Sequence, residues 1–288
     1  MDLTIFTPTY NRAHTLPRVY KSLCEQKLQN FEWLVIDDGS SDRTENLIKT
    51  YLAEGRIEIR YIKTTNGGKY KAINRAVPLA KGYLFMILDS DDYLAGSEVT
   101  TVISEYRSFL EQHSGFCAIV GNKIFSDTEI IGGPVDYQVL DTDFISYREK
   151  LKIKGDKAEV IKTEILKEFP FPELPQEKFC PEGLVWNRMS LRYKARYINT
   201  PFMICEYRAD GLSAGVRKCR EQSPRMFMLY YSEYCSLKAV SIFHKLKRSI
   251  VYWACFFKAT GHVGYSYMIR HYWVTLPLGW FFNKLKRL

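Results

Sequence analysis

Residues 84–92 read Leu84-Phe85-Met86-Ile87-Leu88-Asp89-Ser90-Asp91-Asp92, five apolar residues that run into three carboxylates. A buried strand ending in this way delivers several oxygen ligands to one point at the carboxyl edge of a sheet, where open α/β proteins bind their ligands. Three carboxylates in such proximity repel one another, and a divalent cation among them relieves the repulsion. Mg²⁺ or Mn²⁺ held through one or two carboxylates keeps positions open for phosphate oxygens, so the partner expected from the motif is a nucleotide. A solvated turn with a helix cap is the alternative for the motif taken alone.

Upstream, the chain alternates strand, polar loop and helix. Leu3, Ile5 and Thr7 mark a first strand, Pro8–Arg12 a turn, and Leu16, Val19 and Leu23 one face of a helix. Phe31–Ile36 is a second strand, followed by a loop over Asp37–Ser41. Asp42 and Glu45 then read as a capping box opening a helix that stops at Gly55. Ile57, Ile59 and Tyr61 mark a third strand, Asn66–Lys69 a glycine loop, and Tyr70–Ala80 a helix despite Pro78. This alternation predicts an α/β fold with a mostly parallel, Rossmann-like sheet flanked by helices, and right-handed crossovers bring the four polar loops to one edge. Phe116–Phe125 reads as a further buried strand, Asp127–Thr163 as a turn-rich region covering the site, Leu184–Met189 as the start of a helix, and Arg196–Tyr207 as a strand.

The loops together resemble the family-2 glycosyltransferases of the GT-A fold, in the bacterial branch that builds capsule, O-antigen and exopolysaccharide. The resemblance covers about residues 1–215. It rests on Thr7-Pro8-Thr9-Tyr10-Asn11-Arg12, Asp37-Asp38-Gly39-Ser40-Ser41-Asp42, Asn66-Gly67-Gly68-Lys69 with Asn74, and Asp89-Ser90-Asp91. It implies a nucleotide-sugar donor, usually a UDP-sugar, with Mn²⁺ or Mg²⁺ and inversion at the anomeric carbon. Pro8, Thr9, Tyr10, Arg12, Asp37, Asp38, Gly68, Lys69, Asn74, Asp89 and Ser90 fall on its nucleotide side. Asp38 can accept the imide N–H of uracil, Tyr10 can pack on the base or ribose, and Asp89 matches the ribose contact. Gly67 and Gly68 let the backbone approach the nucleotide, while Lys69 and Lys71 favour phosphate or form a plain solvated basic loop. Asp91 and Asp92 match the metal positions. The family's acidic residue four before a Trp and six before an Arg falls on Glu182, ahead of Trp186 and Arg188, as catalytic base, with Glu177 as competitor. Tyr207, Arg208, Gly211 and Ser213 resemble the segment that follows the base.

Charge divides the chain. From Arg217 to Leu288 there are 13 Lys or Arg and 2 Glu, whereas residues 1–216 hold 28 basic and 30 acidic side chains. The C-terminal region also interleaves Trp253, Phe256, Phe257, Tyr265, Tyr267, Trp273, Trp280, Phe281 and Phe282 with its cations. Such mixing suits peripheral attachment to a membrane beside a lipid-linked glycan acceptor, or else a helical subdomain packed on the core or at a homodimer contact. The expected organisation is a catalytic domain over 1–215 and a helical region over 216–288. Nucleic acid is not expected, since no reader motif is present.

The seven cysteines lack metal or disulfide spacing and read as reduced thiols of the cytoplasm. Met1 and Asp2 lead straight into a strand pattern with no room for a signal peptide, and no run of about 18 apolar residues occurs. The location expected is the cytoplasmic face of the bacterial inner membrane. An aspartyl-phosphate phosphatase also uses D-x-D at a strand end, but after a first strand and with Thr or Val where Tyr93 stands here. A non-catalytic nucleotide-sugar-binding scaffold of a polysaccharide assembly complex is the alternative function, and Glu182 argues against it.

Overall fold

The computed structural model describes residues 1–126, 128–206, 215–259 and 269–285. Its first part follows the expected alternation: β1 (Leu3–Thr9), α1 (Leu16–Cys24), β2 (Phe31–Asp37), α2 (Thr44–Glu54), β3 (Glu58–Lys63), α3 (Lys69–Ala76) and β4 (Leu84–Ile87). Every side chain of β1 and β2 is buried, as in parallel strands covered on both faces, so they show no in–out alternation. β1 pairs in parallel with β2 (Leu3 opposite Phe31) and β4 (Leu3 opposite Leu84), and β2 with β3.

Two local expectations need correction. The third helix ends at Ala76 rather than Ala80, and Val77–Leu79 tightens into a 3₁₀ turn. Pro78 explains this, because it lacks an N–H and its ring crowds the carbonyl four residues back. The Asp42–Glu45 capping box does not form. Asp42 instead accepts the N–H groups of Thr44 (3.0 Å) and Ala13 (3.1 Å), and Glu45 pairs with Lys49 and Lys63.

Beyond β4 come β5 (Tyr93–Leu94), α4 (Val99–Glu105), α5 (Arg107–Gln112), β6 (Phe116–Ile124), β7 (Val139–Thr142), α6 (Phe144–Glu149), β8 (Lys157–Lys162), α7 (Thr163–Glu168), α8 (Gly183–Ser190) and β9 (Lys194–Ile204). One sheet runs β3-β2-β1-β4-β8-β6-β9-β5, with β7 also on β9. It is parallel through β4 and mixed afterwards: β8 is antiparallel to β4 and β6, whereas β6 and β9 are parallel. β8 lies inside the region read from sequence as turn-rich cover, yet it is central. Lys157 and Lys162 disguise it: both are buried, and Lys157 donates to Asn122 Oδ1 at 2.7 Å.

Gly82 sets how closely β4 meets β1. Its N–H donates to Thr4 Oγ1 at 2.9 Å, and a Cβ there would collide with the Leu3–Thr4 peptide. Gly82→Ala is expected to cost about 2–3 kcal/mol, the usual scale of overpacking against backbone that cannot give. Urea unfolding checks this: the midpoint should fall with an unchanged slope.

The chain divides into two compact units. The first comprises residues 1–144, 153–170 and 189–206, and contains the whole sheet. The second comprises 145–152, 171–188 and the described residues after 206. Besides most of α6 and α8 it holds α9 (Val216–Gln222), α10 (Pro224–Ser236), α11 (Ile242–Phe256) and α12 (Leu276–Lys284), with a core that includes Phe227, Met228, Tyr231, Tyr252 and Trp253. Among the described residues no helix is long and apolar enough to cross a membrane, and all seven cysteines are free of disulfides.

Candidate active site

Four loops at the carboxyl ends of β1, β2, β3 and β4 are bonded into a circuit. Asn11, held at φ 54°, accepts the Ser41 N–H through Oδ1 at 2.8 Å and donates its own N–H to Ser40 Oγ at 2.8 Å, tying the first loop to the second. Asp38 ties the second to the third. Its two carboxylate oxygens accept the N–H groups of Gly67 and Gly68, each at 2.7 Å, and Asn66 Nδ2 donates to its carbonyl at 3.0 Å. Gly68 sits at φ 96°, a conformation that side chains resist, so the two amides can turn toward one carboxylate. Lys69 then reaches Asp89 in the fourth loop at 2.6 Å, and Arg12 lies 4.0 Å from Asp91, closing the ring.

Each carboxylate of the acidic cluster therefore faces a cation of the chain itself. Burial works against ionisation of Asp89, but Lys69, Lys123 and Arg12 outweigh it and hold its carboxyl below the usual range. Burial dominates at Asp92 and pushes its carboxyl up to about 6, against the pull of Lys123 at 3.6 Å. Burial also opposes charge on Lys123, yet Asp92, Cys205 and Asp89 keep its pKa well above the ordinary value. These basic side chains supply the relief of repulsion that the sequence reading assigned wholly to a metal. Lys123 escaped that reading, although a lone Lys near the end of the apolar strand β6 was a usable signal.

Among the described residues no group of three or more His, Cys, Asp or Glu side chains is arranged to hold a metal. Asp91 nevertheless suits Mg²⁺ or Mn²⁺: its side chain is 22% exposed, its cation neighbour is distant, and such ions accept one carboxylate completed by phosphate oxygens and water. Asp92, expected as a second ligand, is buried against Lys123 and fits that role poorly.

Of the residues expected at the nucleotide, Tyr10 is 50% exposed, and Arg12, Lys69, Asn74 and Asp89 are partly exposed. Asp38 and Ser90 are buried beneath them. Pro8 and Thr9 lie within β1 with buried side chains, and Thr9 Oγ1 has no hydrogen-bond partner among the described residues. Asp37 has no exposed surface. It accepts the Ser40 N–H at 2.7 Å and the Tyr61 hydroxyl at 2.6 Å, and so shapes the loop.

The second unit holds the two candidate bases. Glu182 sits half-buried just before α8, and its carbonyl accepts the N–H groups of Val185 (2.9 Å) and Trp186 (3.2 Å) as the helix begins. Arg188 on the same helix makes a two-pronged pair with Glu233 of α10, at 2.9 and 2.6 Å. Glu177 is almost wholly buried and accepts the backbone N–H groups of Arg225 (2.9 Å) and Met226 (2.7 Å), capping α10. That is a structural duty, the cap of a helix. Tyr207, Arg208, Gly211 and Ser213 lie outside the described residues.

Residues 4–117 match the model of glycosyl transferase family 2. A chondroitin synthase of Pasteurella multocida is 34% identical over 121 residues, which are 42% of this chain and 12% of that protein. The chain thus spans only a small part of that relative's length. The UDP-Glc:alpha-D-GlcNAc-diphosphoundecaprenol beta-1,3-glucosyltransferase WfgD of Escherichia coli is 28% identical over 225 residues, covering 76% of this chain and 81% of that one. Among solved structures, Staphylococcus aureus TarS 1–349 in complex with UDP-GlcNAc superposes with a TM-score of 0.62 at 19% identity, over 90% of this chain and 74% of that chain. The mannosyltransferase PcManGT of Pyrobaculum calidifontis, in complex with GDP-Man and Mn²⁺, gives 0.56 at 15% identity over 99% and 88%. These likenesses establish the GT-A fold, and residues 4–117 match the glycosyl transferase family 2 domain.

Proposed function

We propose that the chain transfers a sugar, with inversion, from a UDP-sugar to a hydroxyl group of a lipid-linked glycan at the cytoplasmic face of a bacterial inner membrane. The circuit of loops carries this reading: it sets an exposed aromatic ring, two bonded glycine amides, two cations and a partly exposed carboxylate around one edge of the sheet. Tyr10 packs on the base, and Asp38, with lone pairs left after bonding Gly67 and Gly68, accepts the uracil imide N–H. Asp89 takes the ribose hydroxyls, while Arg12 and Lys69 face the diphosphate.

Asp91 is the residue that would hold a divalent cation, which when bound spreads the negative charge growing on the leaving diphosphate. Glu182 takes the proton of the acceptor hydroxyl as its oxygen attacks the anomeric carbon; the bond from that carbon to the diphosphate oxygen breaks on the opposite face, so configuration inverts and UDP leaves. The relative whose name gives UDP-Glc and a diphosphoundecaprenol acceptor supports the choice of nucleotide and of a lipid-linked acceptor.

Release of UDP tests this directly. Assayed against a panel of nucleotide sugars with Mn²⁺ and a polyprenyl-diphosphate glycan, the protein is expected to turn over a UDP-sugar and to ignore GDP-mannose. UDP binding with no turnover of any donor would favour the scaffold instead.

A further inference from the structure

α12 is apolar on both sides: Leu276 packs inward on the core of the second unit. On the side that meets α11 it carries Gly279, where a Cβ would collide with Trp253, and the preceding Thr275 is also buried. The face turned outward should then be polar. Instead Leu278 and Phe281, three residues apart on one face of α12, are exposed at 49 and 52%, as are Val274 in the 3₁₀ turn before the helix and Leu285 at its C-cap, at 77 and 42%. Trp273 and Trp280 flank them, also exposed, and Lys284 lies over the Trp280 ring at 4.2 Å. A contiguous apolar patch of this kind marks a surface that is covered in use.

Charge identifies what covers it. No Asp or Glu occurs after Glu233, and Leu237–Leu288 holds nine Lys or Arg. Aromatic rings mixed with cations match the boundary between acyl chains and anionic headgroups. At nine residues α12 is about 14 Å long, too short to span the hydrocarbon layer, so it would lie in the plane of the boundary. We infer that the outward face of α12 seats the chain on a bilayer bearing anionic headgroups. The inference rests on the reading of a lipid-linked acceptor and adds the residues and lipid chemistry by which the chain meets it.

Co-sedimentation of the full chain with phosphatidylglycerol/phosphatidylcholine vesicles and with pure phosphatidylcholine vesicles tests it, alongside a variant carrying both Trp280→Ser and Phe281→Ser. The wild type should bind the anionic vesicles at least 10-fold more tightly than the neutral ones, and 0.5 M NaCl should weaken that binding. The variant should lose at least 10-fold in affinity with an unchanged Tm, since both side chains are exposed. Equal binding by variant and wild type, or no binding by the wild type, would overturn it. A concentration-dependent dimer that the variant abolishes, without vesicle binding, would overturn it in favour of a second copy. Transfer to a detergent-soluble acceptor separates the two readings: vesicle binding without turnover leaves this inference standing and sinks the proposed activity, and turnover without vesicle binding does the reverse.

Discussion

Glu182→Gln is expected to lower kcat by about 10²- to 10⁴-fold, the range that a positioned general base contributes, while leaving the KM for the donor and the Tm close to wild type. The amide keeps the shape of the side chain and its place ahead of α8 but cannot take a proton from the acceptor hydroxyl. The neighbouring carboxylate supplies the contrast. Glu177→Gln disturbs a buried helix cap that receives two backbone N–H groups, so it should lower stability by about 1–3 kcal/mol and leave kcat within a few-fold. An unimpaired Glu182→Gln enzyme would remove the base from the scheme whatever Glu177→Gln does.

Asp91→Asn should reduce kcat/KM at saturating Mn²⁺ by about 10²-fold or more, since a bound cation supplies several kcal/mol of charge stabilisation at the leaving group. The half-saturating Mn²⁺ concentration should rise with it. Asp92→Asn, buried against Lys123, should change Mn²⁺ dependence little and act mainly on stability. Titrating Mn²⁺ into transfer assays of both variants separates the two aspartates. Equal loss of metal response in both would mean that Asp92 turns out from Lys123 to share the ion.

The order of loops was readable because its chemistry is local. Buried parallel strands write themselves as apolar runs, and the loops that follow must contain Gly39 and Gly68 at positive φ and the Asp38 carboxylate that holds the Gly67 and Gly68 amides. What escaped depends on residues distant in sequence. Glu177 looks like a loop carboxylate until Arg225 and Met226, 48 and 49 residues later, present their N–H groups to it. β8 looks like a charged loop until Asn122 receives Lys157. The acidic cluster looks starved of positive charge because Lys69, Arg12 and Lys123 reach it from three other elements. Asp37 and Asp38 are adjacent in sequence yet differ in duty, since only the fold turns one toward Tyr61 and the other toward the glycine loop.

A crystal structure with UDP and Mn²⁺, with anomalous data collected at the manganese edge, tests the grip of the linked loops on an activated sugar most directly. A single manganese peak is expected within coordination distance of Asp91 and of the diphosphate, with the uracil between Tyr10 and Asp38. Ordered UDP elsewhere, or UDP among the loops with manganese bound away from Asp91, would contradict it.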